Sequence, residues 1–182
     1  MNLVTEIYTN SESTINSEFQ EIERKFLVNG ESFKNQAIKK VEIIQGYLNS
    51  TPERNVRVRT AGNQGFITIK GPSSDDGTTR FEWEKEISIE EAKALLRLCE
   101  LAIIEKVRYY VKVGNHTFEV DEFFGVNEGL ILAEVELNTV DEEFEKPDWL
   151  GEEVTGNKKY YNARLSKQPY CVWGNAGLFS AQ

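Results

Sequence analysis

Apolar and polar residues alternate along most of the chain from residue 19 onward. A period of two places successive side chains on opposite faces of a strand, so this alternation is typical of β-structure. Turn signals such as Asn29-Gly30 and Gly114-Asn115 separate the alternating runs. The pattern predicts eight strands, at Glu21–Val28, Val41–Leu48, Asn55–Thr60, Gly65–Lys70, Thr79–Ile87, Ile104–Val113, His116–Asp121 and Leu130–Leu137. Eight short strands of this kind predict a mainly β (α+β) chain, folded as an antiparallel sheet or barrel.

Helical signals are few. Ser88, with Glu91 three residues on, has the spacing of a capping box at the start of a helix. Shorter helices are predicted near Ser32 and around Lys158–Ser166. We interpret residues 1–18 as a polar N-terminal extension, residues 19–168 as one domain, and residues 169–182 as an uncharged C-terminal tail.

One face of nearly every predicted strand is charged. In an ordinary half-buried sheet one face is apolar and the other is mixed polar. Here the second face carries carboxylates at Glu21, Glu23, Glu82, Glu84, Glu119, Asp121, Glu134 and Glu136. It carries cations at Lys25, Arg57, Arg59, Lys70, Arg80, Lys106 and Arg108. Two arrangements fit this pattern: an exterior ladder of weak ion pairs, or a closed barrel with the charges in a wet lumen and helices covering the apolar outer face.

The chemistry of the two sets favours the lumen. Carboxylates at i, i+2 on facing strands form an oxygen-rich site suited to Mg²⁺ or Mn²⁺. Arginine and lysine in the same space suit phosphate oxygens, which guanidinium groups bind bidentately. Both sets together predict a site for a phosphate chain with divalent metal ions. The metal ions would also let an acidic protein bind an anion.

Composition narrows the function further. The 182 residues include 21 basic and 30 acidic side chains, a net charge of −9, which disfavours nucleic acid and anionic membranes as partners. Without a signal peptide or an apolar span, the expectation is a soluble, cytoplasmic protein with Cys99 and Cys171 reduced. The single histidine, His116, cannot build a Ser-His-Asp triad or a zinc cluster, and no P-loop occurs. A homodimer is compatible with the sequence.

The segment Glu21-Ile22-Glu23-Arg24-Lys25 matches the ExExK signature of the CYTH family, the triphosphate tunnel metalloenzymes. Further strand motifs resemble that family in the same order: VRVR at 56–59, ITIKG at 67–71, RFEWE at 80–84, EKVRY at 105–109, EVDEF at 119–123 and AEVEL at 133–137. Residues 149–165 resemble its C-terminal region. The resemblance spans about residues 19–168 and implies an eight-stranded antiparallel tunnel.

The resemblance also implies roles for these positions. Glu21, Glu23, Glu134 and Glu136 would hold a divalent metal ion, and Glu82, Glu84, Glu119 and Asp121 would complete or support a second metal position. The seven cations of the strands would bind the triphosphate, with Lys158 closing over it. In some family members a tyrosine pairs with the signature lysine, and Tyr47 is the matching candidate to assist Lys25 in proton transfer. Alternatively, Tyr47 is an ordinary strand tyrosine.

Several activities occur in this family. The EIERKFLV opening is most similar to short bacterial inorganic triphosphatases, which implies metal-dependent hydrolysis of triphosphate to diphosphate and phosphate. A class IV adenylate cyclase or a thiamine triphosphatase would share the tunnel but need a pocket for an organic head group. A non-catalytic polyphosphate or nucleotide-binding module is the alternative of another class, although eight carboxylates would not help a pure anion binder.

Overall fold

The computed structural model describes residues 19–100 and 102–175 of the chain. They form nine strands: β1 (Gln20–Val28), β2 (Ala37–Thr51), β3 (Arg54–Ala61), β4 (Gln64–Ser73), β5 (Thr79–Ile87), β6 (Ile104–Val113), β7 (His116–Phe123), β8 (Ile131–Glu136) and β9 (Leu150–Glu153). The α-helical segments are α1 (Phe33–Gln36), α2 (Ile89–Leu96) and α3 (Asn162–Leu165). Three 3₁₀ turns lie at Gly125–Asn127, Lys158–Tyr160 and Tyr170–Asn175.

Strands β1 to β8 close into an antiparallel barrel. Their order is β5-β4-β3-β2-β6-β7-β8-β1, and Glu21 of β1 pairs with Arg80 of β5 to close the ring. This confirms the predicted eight-stranded barrel. The short strand β9 was not predicted. It pairs with β1 at Phe26 and Val28, beyond the point where the pairing of β1 with β5 ends.

The apolar faces of the strands point outward on one side of the barrel. Phe26, Phe118 and Val135 form a core there with Trp149. Phe33 of α1 covers this core, with its ring 5.3 Å from that of Tyr109 and 6.2 Å from that of Trp149. The predicted arrangement, with charges inside and apolar residues outside, is therefore the one that the chain adopts. Part of the cover is chain around Phe144 and Trp149 rather than helix.

A second apolar cluster is formed by Ile104, Phe123, Leu130 and Leu132 with Val154 and Leu165 from the C-terminal segment. Helix α2 packs against β2, β3 and β4, and its capping box is formed as predicted: Ser88 accepts a hydrogen bond from the Glu91 amide, and Glu91 accepts one from the Ser88 amide. Within the described residues, no helix is long and apolar enough to cross a membrane.

Two glycines bring the β4–β5 loop against the C-terminal segment. Gly77 and Gly156 both have positive φ, at 76° and 73°. A Cβ on Gly77 would lie 2.2 Å from Gly156 Cα and 2.9 Å from the Tyr161 hydroxyl. Only glycine permits this backbone-to-backbone approach without displacement. The predicted extension at residues 1–18 lies outside the described residues, as do residues 176–182 of the predicted tail.

Candidate active site

Strand register assembles the charged residues into cross-strand pairs. Partners in an antiparallel ladder point to the same face, so each pair below projects into the lumen. The paired positions are Glu21 with Arg80, Lys25 with Glu134, Lys70 with Glu82, and Arg108 with Asp121. The alternation in sequence and the register together bring the fifteen predicted strand charges to one interior surface.

Arg80 and Lys70 link the first strand to β4 and β5. Arg80 Nε donates to Glu21 Oε2 at 2.6 Å and its Nη2 donates to Glu23 Oε1 at 3.2 Å. Lys70 Nζ lies 3.1 Å from Glu21 Oε2 and also contacts Glu82. Burial alone would raise the pKa of Glu21, but the charges of Lys70 and Arg80 outweigh it and hold that pKa below its ordinary value.

A second group lies across β6, β7 and β8. Arg108 binds Asp121 with two parallel hydrogen bonds of 2.7 Å each and also contacts Glu119 and Glu134. Lys106 Nζ lies 2.5 Å from Asp121 Oδ2, and these two side chains are only 1% and 2% exposed. Burial lowers the pKa of Lys106 to about 8 although Asp121 opposes the shift. Lys106 and Asp121 are the most deeply buried of the lumen charges.

The two arginines of β3 share Glu84. Arg57 and Arg59 lie 3.2 Å and 2.9 Å from its carboxylate oxygens. Thr68, which is fully buried, donates to Glu84 at 2.6 Å and accepts from Arg57 at 3.1 Å. The Nε atoms of both arginines are buried without a partner among the described residues. The lumen therefore holds donors that nothing in the described chain satisfies.

A cavity of about 50 Å³ lies where these elements meet the C-terminal segment. Cations outnumber carboxylates four to one among the side chains that line it, although the protein as a whole is acidic. The lining residues are Lys25, Tyr47, Asn55, Arg57, Lys70, Arg80, Glu134, Tyr161, Asn162 and Ala163. The arrangement suits a small, strongly charged anion.

Lys25 and Tyr47 both line this cavity, but no hydrogen bond joins them. Lys25 Nζ lies 2.7 Å from Glu134 and 5.3 Å from the centre of the Tyr161 ring. Burial opposes its charge, yet Glu134 and Glu23 raise its pKa above the ordinary value. Burial raises the pKa of Tyr47 to about 12. Both groups are protonated near neutral pH, so in this arrangement they can donate a proton but cannot accept one.

Around two carboxylates of the lumen, Glu82 and Glu136, neighbouring negative charge is only partly neutralised by cations. Burial, and then the neighbouring charges of Glu119, Glu21 and other carboxylates, raise the pKa of Glu136 to about 7. Burial is also the main reason that the pKa of Glu82 rises to about 7, and Glu21 adds to it. Glu136 forms no ion pair with any residue that the structure describes. Mutual repulsion among carboxylates is what a divalent cation would relieve, so this donor set fits Mg²⁺ or Mn²⁺.

In this structure the described carboxylates of the lumen are not arranged as a coordination shell for a metal ion. Within residues 19–100 and 102–175, no three acidic, histidine or cysteine side chains are grouped so that they could hold one metal ion. Glu21, Glu23 and Glu134 point instead to Arg80, Lys70 or Lys25. Metal binding would therefore have to displace some of these ion pairs.

Lys158 does not join the other predicted site residues. The predicted helix over Lys158–Ser166 is interrupted, because Tyr161 has an extended backbone with ψ 135° between the 3₁₀ turn and α3. Lys158 is exposed in that turn and does not line the cavity. The interruption turns Tyr161, Asn162 and Ala163 toward the lumen instead.

Sequence reasoning missed Tyr161, Asn162, Asn55 and Thr68. Adjacent tyrosines give no signal of which one points inward: Tyr160 packs on Trp173 with ring centres 5.3 Å apart, whereas Tyr161 lines the cavity. Asn55 and Thr68 do follow the charged parity of β3 and β4, so strand alternation would have found them.

The comparisons with known proteins agree with this geometry. Residues 20–170 match the family model of the CYTH domain. A protein of Acetivibrio thermocellus named inorganic triphosphatase is 47% identical over 152 residues, covering 83% of this chain and 96% of that protein. An inorganic triphosphatase of Nitrosomonas europaea is 38% identical over 150 residues, covering 80% and 96%. The crystal structure of an inorganic triphosphatase superposes with a TM-score of 0.55 at 36% identity, covering 80% of this chain and 93% of that one. The chain therefore belongs to the CYTH domain family.

Proposed function

We propose that this protein hydrolyses inorganic triphosphate to diphosphate and phosphate with the help of divalent metal ions. The observation that carries the proposal is the cavity with four cations and one carboxylate in a chain of net charge −9. The relatives named inorganic triphosphatase, at 47% and 38% identity over most of the chain, support the same activity.

The cations bind and orient the phosphate chain. Lys25, Arg57, Lys70 and Arg80 surround the cavity, and each is already fixed by a carboxylate partner. Phosphoryl transfer depends chiefly on positioning and on charge stabilisation of the transition state, and donors that are fixed before the reaction supply both. Charge interactions are stronger in this buried lumen than in water.

Protonated Lys25 and neutral Tyr47 can donate to phosphoryl oxygens. Burial keeps the phenol of Tyr47 protonated up to about pH 12, and Glu134 keeps the ammonium of Lys25 charged. Both side chains therefore keep their donor hydrogens at the pH of the reaction. Lys25 adds positive charge beside the chain, and Tyr47 adds a neutral hydrogen-bond donor.

One or two Mg²⁺ or Mn²⁺ ions would be held by carboxylates of the lumen. The carboxylates that would hold them are Glu21, Glu23, Glu134 and Glu136, supported by Glu82, Glu84, Glu119 and Asp121. Such ions, when bound, neutralise phosphate charge and lower the pKa of a bound water. The raised pKa values of Glu82 and Glu136 support this assignment, because both carboxylates lie among like charges that a cation would offset.

The cavity offers no apolar pocket for an organic head group. Its lining has two tyrosines and Ala163, and every other side chain is charged or an amide. We therefore expect triphosphate to be preferred over ATP and thiamine triphosphate. The excess of acidic residues is consistent with a small-molecule substrate rather than nucleic acid or a membrane. We also propose that the protein is cytoplasmic.

Phosphate release from triphosphate, ATP and thiamine triphosphate tests the proposal, with Mg²⁺ or Mn²⁺ and with EDTA. We expect the highest kcat/KM for triphosphate and no turnover in EDTA. Lys25→Gln should lose activity, whereas Lys34→Gln, which removes a lysine paired with Glu122 outside the lumen, should not. Comparable values for ATP would favour a nucleotide enzyme, and cyclic AMP would favour a cyclase. Tight binding without turnover of any of the three would favour a binding module.

A further inference from the structure

Gln45 is a buried amide of the lumen to which the sequence motifs assign no role. It lies on β2 between Ile43 and Tyr47, which point to the same side, and all three are buried. The opposite side of β2 is packed at Gly46, where a Cβ would lie 2.8 Å from Cys99 and Ile103 atoms. Gln45 itself is 0% exposed, so its amide faces the closed interior of the barrel.

Neither polar atom of this side chain has a hydrogen-bond partner among the described residues. A buried amide without partners is costly, and native proteins rarely keep one without a ligand or water for it to bind. The residue paired with Gln45 on β3 is Arg59, whose Nε is also buried and unpartnered. Arg57 lies two positions along the same strand, and its Nε is also buried without a hydrogen-bond partner among the described residues.

These unpartnered groups are mostly donors. On β2 and β3, Gln45 Nε2, Arg57 Nε and Arg59 Nε offer N–H groups, and Gln45 Oε1 is an acceptor. Elsewhere in the described residues, Glu82 Oε2 and Asn162 Oδ1 are buried acceptors that also lack a partner. The excess of donors on β2 and β3 is complementary to phosphoryl oxygens, which only accept. Arg57 lines the cavity and Arg59 does not, and their i, i+2 spacing is roughly 7 Å along the strand, about the length of two phosphoryl units.

We propose that Gln45 is a further substrate-positioning residue, which donates from Nε2 to the phosphoryl unit bound by Arg59 and so selects triphosphate over diphosphate. The inference rests on the proposed function. In this arrangement the cavity cations bind one part of the chain, and Gln45 with Arg59 binds the next unit along the lumen. A diphosphate held by the cavity cations would not reach Gln45.

Binding measurements with non-hydrolysable imidotriphosphate and with diphosphate test this role by calorimetry. Gln45→Leu should raise the Kd for imidotriphosphate about tenfold or more, the size expected for a lost hydrogen bond to a charged group, and leave the Kd for diphosphate unchanged. Gln45→Glu keeps the shape but adds a negative charge, so it should weaken imidotriphosphate binding further. Gln45→Met serves as a second apolar variant if Gln45→Leu does not fold.

Gln64→Leu is the matched control, because Gln64 is exposed and bonds to Glu86 outside the cavity. It should leave both Kd values unchanged. If Gln45 only holds a structural water, its apolar variants will change the melting temperature and neither Kd, which would overturn the inference. Equal weakening for both ligands would also overturn it. A wild-type protein that releases no phosphate from triphosphate would instead contradict the proposed function, whatever the Gln45 variants do.

Discussion

Lys25 Nζ lies 2.7 Å from Glu134 Oε1 across the paired strands β1 and β8. Burial alone would raise the pKa of Glu134, but Lys25 and Arg108 hold it well below its ordinary value. A residue predicted to bind phosphate thus neutralises one predicted to bind metal. Under the proposed function, substrate would replace Glu134 as the partner of Lys25, and a metal ion would replace Lys25 as the partner of Glu134.

Glu134→Gln tests the carboxylate half of this pair. We expect turnover of triphosphate to fall at least about 100-fold at saturating Mg²⁺, comparable to the loss of a preorganised charged group. The fold should remain, because Lys25 keeps Glu23 at 3.6 Å. Steady-state kinetics and far-UV circular dichroism measure the two quantities.

Glu122→Gln is the matched control. It also removes a strand glutamate paired with a lysine, since Lys34 Nζ lies 2.8 Å from Glu122 Oε1, but this pair lies outside the lumen. Activity should stay at the wild-type level in the control. Normal turnover in Glu134→Gln would show that Glu134 is not needed for metal binding.

The barrel and its charged interior could be predicted because both follow from the alternation of charged and apolar residues along the strands, which repeats every two residues. In β1, Glu21, Glu23 and Lys25 lie on one face, and Ile22, Phe26 and Val28 lie on the other. Because cross-strand partners share a face, the register carries this division to the neighbouring strands. Strand β9 could not be predicted in this way, because four residues, Leu150–Glu153, are too few to show a period.

The C-terminal part of the site depends on an interruption of the predicted helix, which the sequence of that segment does not indicate. The helix predicted over Lys158–Ser166 would present Lys158 to the lumen, but the extended backbone at Tyr161 presents that tyrosine and Asn162. Contact of Gly156 with the β4–β5 loop helps to fix the backbone that leads to Tyr161. Contacts between segments far apart in the sequence cannot be predicted from the pattern of neighbouring residues.

The stability of the metal-free protein should fall as the pH rises from about 4.5 to about 7. The folded-state pKa of Glu136 is about 7, above its ordinary value of 4.5, so the folded protein binds the extra proton in this interval. By linkage, stability declines as that proton is lost, and the decline is complete above the folded-state pKa.

Glu136→Gln should remove part of this decline. In EDTA its melting temperature should exceed that of the wild type at pH 8 and match it near pH 4.5, whereas Glu53→Gln, at an exposed turn, should follow the wild type throughout. Calorimetric scans across this pH range provide the measurement. Parallel curves for Glu136→Gln and the wild type would argue against repulsion at this carboxylate.

Gly156→Ala should destabilise the protein more than Gly30→Ala. Both glycines have positive φ, so each substitution carries the left-handed strain of about 1 kcal/mol. At Gly156 the new Cβ would also lie 2.5 Å from the Asp76 carbonyl oxygen, whereas nothing lies within 4 Å of it at Gly30. Urea unfolding of both variants measures the difference, and equal losses would show that the loop contact adjusts freely.

Arg57→Ala should raise KM for triphosphate about tenfold or more and lower kcat less. Arg57 lines the cavity, so under the proposed function we expect it to contact substrate in the ground state as well as in the transition state. Losing such a contact weakens binding without a matching loss of rate. Arg57→Lys should recover only part of the affinity, because an ammonium cannot bind two phosphate oxygens as a guanidinium does. If kcat falls more than KM rises, Arg57 acts chiefly on the transferring phosphoryl group.

Arg24→Ala is the control for the loss of a strand arginine, since Arg24 pairs with Glu153 on the outer face of β1. It should leave KM and kcat unchanged. The competing interpretation is that Arg57 only neutralises Glu84, 3.2 Å away, in which case alanine would lower the melting temperature and leave KM as it is. Kinetics and melting temperature measured on the same preparations separate these roles, and an unchanged KM and kcat in Arg57→Ala would contradict phosphate binding by this strand.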